Sequence, residues 1–234
     1  MKYGVIVNGV FDERELIDIT AKGFLGPMKG RVDTYDGYVM KEINKAYGML
    51  ECEGQTVLDI GANIGCFTKM ALEKGASHVI SIEPEPNNYA MLDLNTAGHH
   101  DRVSLYNVAL TPEPMKNISL FLSPTGKNPG NSSVHDRRGR TAVEVKTAHV
   151  GAIFASYPEI TVAKIDCEGA EFGLMPVLTK TNLKQIAVEF HINGFSTEIV
   201  RECHNMLIAD GWVATQEPRI QENLWQTLAA YRRA

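Results

Sequence analysis

The sequence predicts an α/β fold: a largely parallel sheet with helices packed against it. Three observations carry that expectation. Apolar runs of strand length alternate with helically periodic segments through the middle of the chain. A glycine-bearing turn follows the first of these runs, in the text VLDIGANIG. Acids then stand where later runs end, at Glu83, Asp166 and Glu189. In an open α/β sheet, ligands bind outside the carboxyl ends of the strands.

Taken in order, residues 3–7 suit a short strand and residues 11–20 a short helix. Residues 23–30, rich in Gly and Pro, read as a turn region. Residues 38–50 place Val39, Ile43, Ala46, Tyr47 and Leu50 on one helical face. Val57, Leu58 and Ile60 form the first core strand, interrupted by Asp59 near its carboxyl end. Gly61-Ala62-Asn63-Ile64-Gly65 then turns the chain without bulk, so that backbone can approach a ligand. Phe67, Met70 and Ala71 recur at helical spacing, and residues 78–82 make a second strand.

Val103, Leu105, Asn107 and Ala109 read as a third strand. Residues 118–122 and 142–146 both alternate and flank a Pro- and Gly-rich stretch, which suggests an inserted antiparallel hairpin within about residues 111–147. A short helix over 150–155 leads to a fourth strand over 161–165, ending in Asp166. A helix over 170–178, a fifth strand over 185–190, an amphipathic helix over 199–209 and two antiparallel tail strands complete the chain. Residues 1–50 are expected to be an extension packed on the core, and residues 51–234 a single domain.

Composition narrows the class. The chain has 234 residues and a formal net charge of −5, which disfavours a stable nucleic-acid partner because phosphate contacts need clustered Lys and Arg. Cys52, Cys66, Cys167 and Cys203 show no C-x-x-C spacing, so neither a zinc site nor a redox dithiol is indicated. They suit buried thiols of a reducing compartment. The N-terminal text MKYGVIVNGVFDERE carries no long apolar stretch, and no run in the chain is long enough to span a bilayer. A cytoplasmic protein without a membrane partner is expected.

The chemistry-bearing residues cluster at strand ends. The first loop is D-x-G-x-N-x-G rather than the G-x-G-x-x-G of a dinucleotide site. An acid at Asp59 is badly placed beside a pyrophosphate and well placed for an ammonium group. Glu83 at the next strand tip suits a ribose. S-adenosylmethionine (SAM) carries an amino acid end and a ribose but no phosphate, and is favoured over NAD. Asn107 either meets an adenine edge or stabilises a turn.

Asp166, Glu168 and Glu171 crowd three acids after the fourth strand, serving a site or capping the following helix. Glu189 and His191 lie two residues apart, on one side of the fifth strand. His191 is a candidate general base because an imidazole titrates near neutrality. Asp166 is the other candidate. Hard oxygen donors at Asp166, Glu168 and Glu171 leave metal assistance open, but their spacing does not separate a metal site from capping, and no metal is assigned. In the insert, Asn131, Ser132 and Ser133 are candidates to face the acceptor. Arg137, Arg138 and Arg140 make a basic run, read either as a solvated loop or as a lid.

Together VLDIGANIGCFT, ISIEPEPNNYAMLDLN, NVAL, KIDCEGAE and VEFH resemble the FkbM family of SAM-dependent methyltransferases. The resemblance covers about residues 38–191. It implies a class I methyltransferase fold, a seven-stranded mostly parallel sheet with a reversed last strand and helices on both faces. It also implies O-methylation of a hydroxyl on a sugar or small-molecule natural product. Asp59, Gly61, Asn63, Gly65 and Glu83 match the family's cofactor motifs, and Ala62, Pro84, Asn107, Ala109 and Asp166 complete the expected cofactor set. Catalysis falls to His191, Asp166 and Glu168, and acceptor contacts to Glu171, Glu189, Asn131, Ser132 and Ser133. The alternatives are a non-catalytic SAM- or nucleoside-binding module, methylation of a nucleic acid or protein, and an NAD-dependent oxidoreductase.

Overall fold

A computed structural model of the chain describes residues 2–7, 10–20, 26–123, 132–133, 140–192, 197–221 and 224–233. It opens on a three-stranded antiparallel sheet of β1 (Lys2–Val7), β2 (Val10–Ile19) and β3 (Met28–Arg31). The segment expected to be a helix over 11–20 is therefore strand β2. Its charged text suits a helix in isolation, but pairing with β1 on one side and β3 on the other satisfies its backbone instead. Residues 28–31 of the expected turn region belong to β3.

Helix α1 (Asp36–Tyr47) follows, starting and ending slightly before the expected 38–50. Buried Arg31 fixes this corner. Its guanidinium donates to both oxygens of Asp36 at 2.9 Å and to Asn88 Oδ1 at 2.9 Å. The fork matches the planar carboxylate, so the start of α1 is tied to the helix carrying Asn88.

Next come β4 (Thr56–Ile60), α2 (Cys66–Glu73), β5 (His78–Ile82), α3 (Pro86–Thr96) and β6 (Val103–Tyr106). The third strand expected through Ala109 ends earlier. Asn107 Nδ2 donates to the carbonyls of Glu83 and Pro84, at 2.8 and 3.1 Å, and the chain turns there. Residues beyond it form β7 (Ala109–Thr111), which pairs with β9 (Ala142–His149) in a small separate sheet. In that sheet β8 (Asn117–Phe121) and β9 are antiparallel, as the inserted hairpin requires.

The chain then runs through α4 (Val150–Ser156), β10 (Ile160–Ile165), α5 (Glu171–Leu178), β11 (Gln185–His191), α6 (Thr197–Ala209), β12 (Trp212–Gln216) and β13 (Gln226–Arg233). The main sheet has the order β12-β13-β11-β10-β4-β5-β6. Strands β11, β10, β4, β5 and β6 pair in parallel, and β13 runs antiparallel to both neighbours. Two apolar clusters cover the two faces. One joins Leu58, Ile80, Ile165 and Val188 to Leu174, Met175 and Leu207. The other joins Val57, Val79 and Val162 to Met40, Tyr47, Phe67 and Met70. The N-terminal strands contribute Leu16, Ile19 and Met28 to this second cluster.

This topology positions a site. From β4 the chain adds β5 and β6 on one side and later returns to add β10 on the other. The order reverses between β4 and β10, where an open α/β sheet leaves a crevice at its carboxyl edge. Ile60 pairs with Ile165 on one side and Ile82 on the other, so Gly61, Asp166 and Glu83 leave the sheet at the same level.

Candidate active site

A cavity of about 630 Å³ opens at that crevice. Gly61, Ala62, Asn63, Glu83 and Pro84 form one wall, and Asp166, Glu168, Glu189 and His191 form another. Helix α1 contributes Tyr38, Glu42 and Tyr47, and the insert contributes Leu120 and Ser132.

The first wall is mostly backbone. Gly61 has φ +77, and a Cβ there would stand 1.8 Å from the Asp166 carbonyl oxygen. Only glycine fits so close an approach at positive φ. Asn63 also sits in the left-handed region, at φ 53. Its Oδ1 is buried with no hydrogen-bond partner among the described residues, an acceptor left for a ligand's donor. Gly65, at φ 92, caps α2, and a Cβ there would meet Leu92 Cδ1 at 2.9 Å. Its role is to let α2 and α3 close together, and it is not part of the cavity wall.

Glu83 is buried and accepts from Asn63 N at 2.7 Å and Glu85 N at 2.9 Å. Burial pushes its carboxyl up to about 7, against the pull of these two N–H groups. Each carboxylate oxygen keeps a further acceptor site, so Glu83 retains capacity for two hydroxyls. Asn107 braces the same loop through the carbonyls of Glu83 and Pro84, as its turn-stabilising reading expects.

Asp59 departs from its expected role. It is fully buried, accepts a hydrogen bond from Thr68 Oγ1 at 2.7 Å and forms an ion pair with Lys164, whose Nζ lies 3.2 Å from Oδ1. The ammonium beside Asp59 is thus the protein's own. Lys164 also donates to the carbonyls of Gly61, at 2.5 Å, and Ile60, at 3.3 Å. Burial works against its charge, but Asp59 and Asp166 outweigh that and raise its pKa above the ordinary value. Sequence reading assigned Lys164 no role. The available signal was a lysine inside the otherwise apolar strand ITVAKI.

The second wall is made of side chains. Asp166 accepts a hydrogen bond from Tyr47 Oη at 3.1 Å, a link from α1 that no local pattern announces. His191 is 2 % exposed. Its Nε2 lies 3.5 Å from Glu168 and 3.8 Å from Asp166, and its Nδ1 lies 3.4 Å from Glu171. Burial disfavours the imidazolium, but Glu171, Glu168 and Asp166 together push its pKa up to about 10. In this arrangement His191 holds its proton at neutral pH, against the expectation of a neutral general base. Burial, helped by Asp166, raises Glu189 to about 7.

Glu171 does not reach the cavity. Its carboxylate accepts from Gly169 N at 2.8 Å and His191 N at 2.6 Å, which leaves it supporting the wall rather than contacting an acceptor. Ser133 likewise acts from behind, donating to the Glu168 carbonyl at 2.7 Å while exchanging backbone hydrogen bonds with Phe121. Ser132 and Ala109 line the cavity. Asn131, Arg137 and Arg138 lie outside the described residues. Arg140 donates to the Phe121 carbonyl. The four cysteines are unpaired, and Cys52, Cys66 and Cys203 are buried.

The sheet order, the reversed β13 and the cavity at the switch point define a class I methyltransferase fold. Solved structures agree on that fold. M. jannaschii TYW2 in complex with AdoMet is 15% identical, with a TM-score of 0.52 over 96% of this chain and 90% of that one. P. horikoshii TYW2 in complex with MeSAdo is 13% identical, with a TM-score of 0.51 over 95% and 74%. The putative methyltransferase yhhF from Escherichia coli is 12% identical, with a TM-score of 0.50 over 94% and 99%. Comparison with curated proteins found no match. The methyltransferase FkbM domain matches residues 59–209, and the chain belongs to that family. It is a methyltransferase. Among the described residues no helix is long and apolar enough to cross a membrane.

Proposed function

We propose that the protein is a SAM-dependent O-methyltransferase acting on a hydroxyl of a sugar, glycan or small-molecule natural product. One observation carries this reading: the Gly61–Asn63 turn and the carboxylates of Asp166, Glu168 and Glu189 line one crevice. The first wall has what SAM requires. Gly61 admits close contact, Glu83 has acceptor capacity for ribose hydroxyls, and the unpartnered Asn63 Oδ1 accepts from an N–H donor. When bound, SAM supplies a methyl group on a good sulfur leaving group. The chain's own residues then align the acceptor and exclude water.

A hydroxyl acceptor must also lose a proton as its oxygen–carbon bond forms. Asp166 is placed to receive it, with its side chain 27% exposed towards the cavity and held by Tyr47. His191, carrying its own proton, orients the acids. An acid-lined crevice repels a phosphate backbone, which favours a small polyhydroxylated acceptor over a nucleic acid. Cytoplasmic location without a membrane partner fits the same reading.

Calorimetry with SAM and NAD side by side tests the cofactor, and only SAM is expected to bind. Transfer of radiolabel from SAM across a panel of glycan and small-molecule hydroxyls tests the acceptor. Tight SAM binding with no transfer to any hydroxyl, and transfer to tRNA or protein instead, would overturn the O-methyl assignment.

A further inference from the structure

Asp166, Glu189 and His191 each offer one ligand atom, and these atoms all lie within 4.8 Å of one another. They come from two adjacent strands. Asp166 follows the last residue of β10, while Glu189 and His191 share one side of β11. Two hard oxygens and one imidazole suit a divalent first-row cation with oxygen-rich coordination.

A second observation concerns the histidine itself. The His191 side chain is 3% exposed, and its Nδ1 is buried without a hydrogen-bond partner, facing Glu171 Oε1 at 3.4 Å. Metal-ligating histidines commonly direct their other ring nitrogen at a carboxylate, which fixes the tautomer and raises the basicity of the ligating nitrogen. A cation would displace the proton that His191 otherwise carries on Nε2, while the Nδ1 proton stays directed at Glu171 and Nε2 becomes the ligating atom. Glu171 is itself held by the Gly169 and His191 amides, so this backing carboxylate is rigid. Lys164, the lysine at this wall, stands closer to Asp59 than to Asp166, at 3.2 against 3.8 Å. Its charge serves Asp59 first.

We propose that Asp166, Glu189 and His191 bind a divalent cation of the Mn²⁺ or Mg²⁺ type, open to the cavity, which holds the acceptor through two adjacent oxygens. The trio differs from the Asp166, Glu168 and Glu171 set that sequence spacing brought to notice, because Glu171 is turned to the backbone. Three protein ligands leave positions for acceptor oxygens, the arrangement of a catalytic rather than a structural site. Adjacent hydroxyls, or a hydroxyl beside a carbonyl, fit such positions. The cation lowers the pKa of the hydroxyl it touches. With the cation bound, Asp166 ligates it instead of receiving the proton: as the oxygen–methyl bond forms and the sulfur–methyl bond breaks with its pair staying on sulfur, the hydroxyl proton passes to a carboxylate outside the trio. Glu168, 3.5 Å from Nε2, is that carboxylate. The cation's role rests on the O-methyl reading, but its binding does not.

The test therefore uses the metal alone. The full chain, stripped with EDTA and free of SAM and acceptor, is titrated with Mn²⁺ while the free-ion electron paramagnetic resonance signal is followed. One site per chain is expected. Glu189→Gln, which keeps the side-chain shape, is expected to weaken it at least about tenfold, and Glu171→Gln by about 10–100-fold through loss of ligand orientation. Asp166→Asn is a second ligand variant should either of these fail to fold. Absence of a site at millimolar Mn²⁺, or an affinity in Glu189→Gln and Asp166→Asn unchanged from the parent protein, overturns the proposal. Mn²⁺ binding without hydroxyl methylation would sink the O-methyl reading and leave the site standing. Hydroxyl methylation at full rate after EDTA treatment would leave the O-methyl reading standing and remove the cation from the reaction.

Discussion

The loops after β4 and β10 leave neighbouring parallel strands, yet they do opposite work. Both place a non-glycine residue in the left-handed region, Asn63 at φ 53 and Glu168 at φ 53, and both follow it with a left-handed glycine, Gly65 or Gly169. Such positions are strained for residues with a Cβ and persist only where the surroundings hold them. The β4 loop uses its turn to clear side chains away and present backbone. The β10 loop uses its turn to present carboxylates to the same crevice. The difference teaches that a binding wall can be local chain geometry, whereas a charged wall needs partners from distant elements. The two are also bolted together. Asp166 N donates to the Ile60 carbonyl at 3.0 Å, and Lys164 reaches under the first loop to the Gly61 carbonyl.

Breaking that bolt should have the largest effect. Lys164→Met leaves Asp59 buried with only Thr68 as a donor. Removing one member of a buried pair typically costs about 3–5 kcal/mol. Urea unfolding should show a loss of that size, and adding Asp59→Asn should recover most of it. Without recovery, Lys164 acts through the loop carbonyls rather than through Asp59. The next largest effect is expected at the contact between the loops. Gly61→Ala drives a Cβ onto the Asp166 carbonyl in a backbone conformation that L residues resist. A loss of about 2–4 kcal/mol follows from steric overlap and backbone strain together. Both walls should shift, so SAM affinity and turnover should fall together. A loss below about 1 kcal/mol would mean that the loops move apart easily.

The contrast between the walls also explains what could be read from the sequence. The turn after β4, the acid that ends β5 and the alternation of strands with helices follow from patterns within short windows, and the structure keeps them. The acids after β10 and β11 were visible as residues, but their division of labour was not. Glu171 turns inward because two backbone amides capture it, and Asp59 is neutralised by a lysine 105 positions later in the chain. Tyr47 reaches Asp166 across 119 positions. Contacts of that separation leave no local period. Strand β2 departs from its helical pattern for a similar reason, since its partners on both sides, not its own propensity, decide its state.

A smaller effect separates the two walls by pH. Glu83 has a folded pKa raised to about 7 from 4.5, so it keeps its proton in the folded chain where the unfolded chain has lost it. Its contribution to stability is full below 4.5 and is lost as pH rises through about 7. Glu83→Gln should therefore flatten the stability curve over that window. Hydroxyl donors from a ribose favour the carboxylate, so SAM binding should expel this proton. Affinity should fall as pH drops below the folded pKa, approaching about tenfold per unit. Calorimetry in two buffers of different ionisation enthalpy would register the released proton near neutrality. A pH-independent affinity would remove Glu83 from the cofactor wall.

The smallest effect concerns Asn107, where two readings of one residue differ in what they perturb. As a brace it holds the carbonyls of Glu83 and Pro84 and ends β6. As an adenine contact it would touch only the cofactor. Asn107→Ala removes two donors to backbone acceptors, a change worth about 1 kcal/mol for each buried bond lost. The brace predicts a stability loss of about 1–2 kcal/mol in urea, with SAM affinity falling only through looser placement of Glu83. That indirect loss should disappear in a Glu83→Gln background, because the group being positioned is gone. A direct contact predicts the reverse, unchanged stability and an affinity loss that persists beside Glu83→Gln. The double-mutant cycle thus tells whether the β6 end belongs to the binding wall or stands behind it.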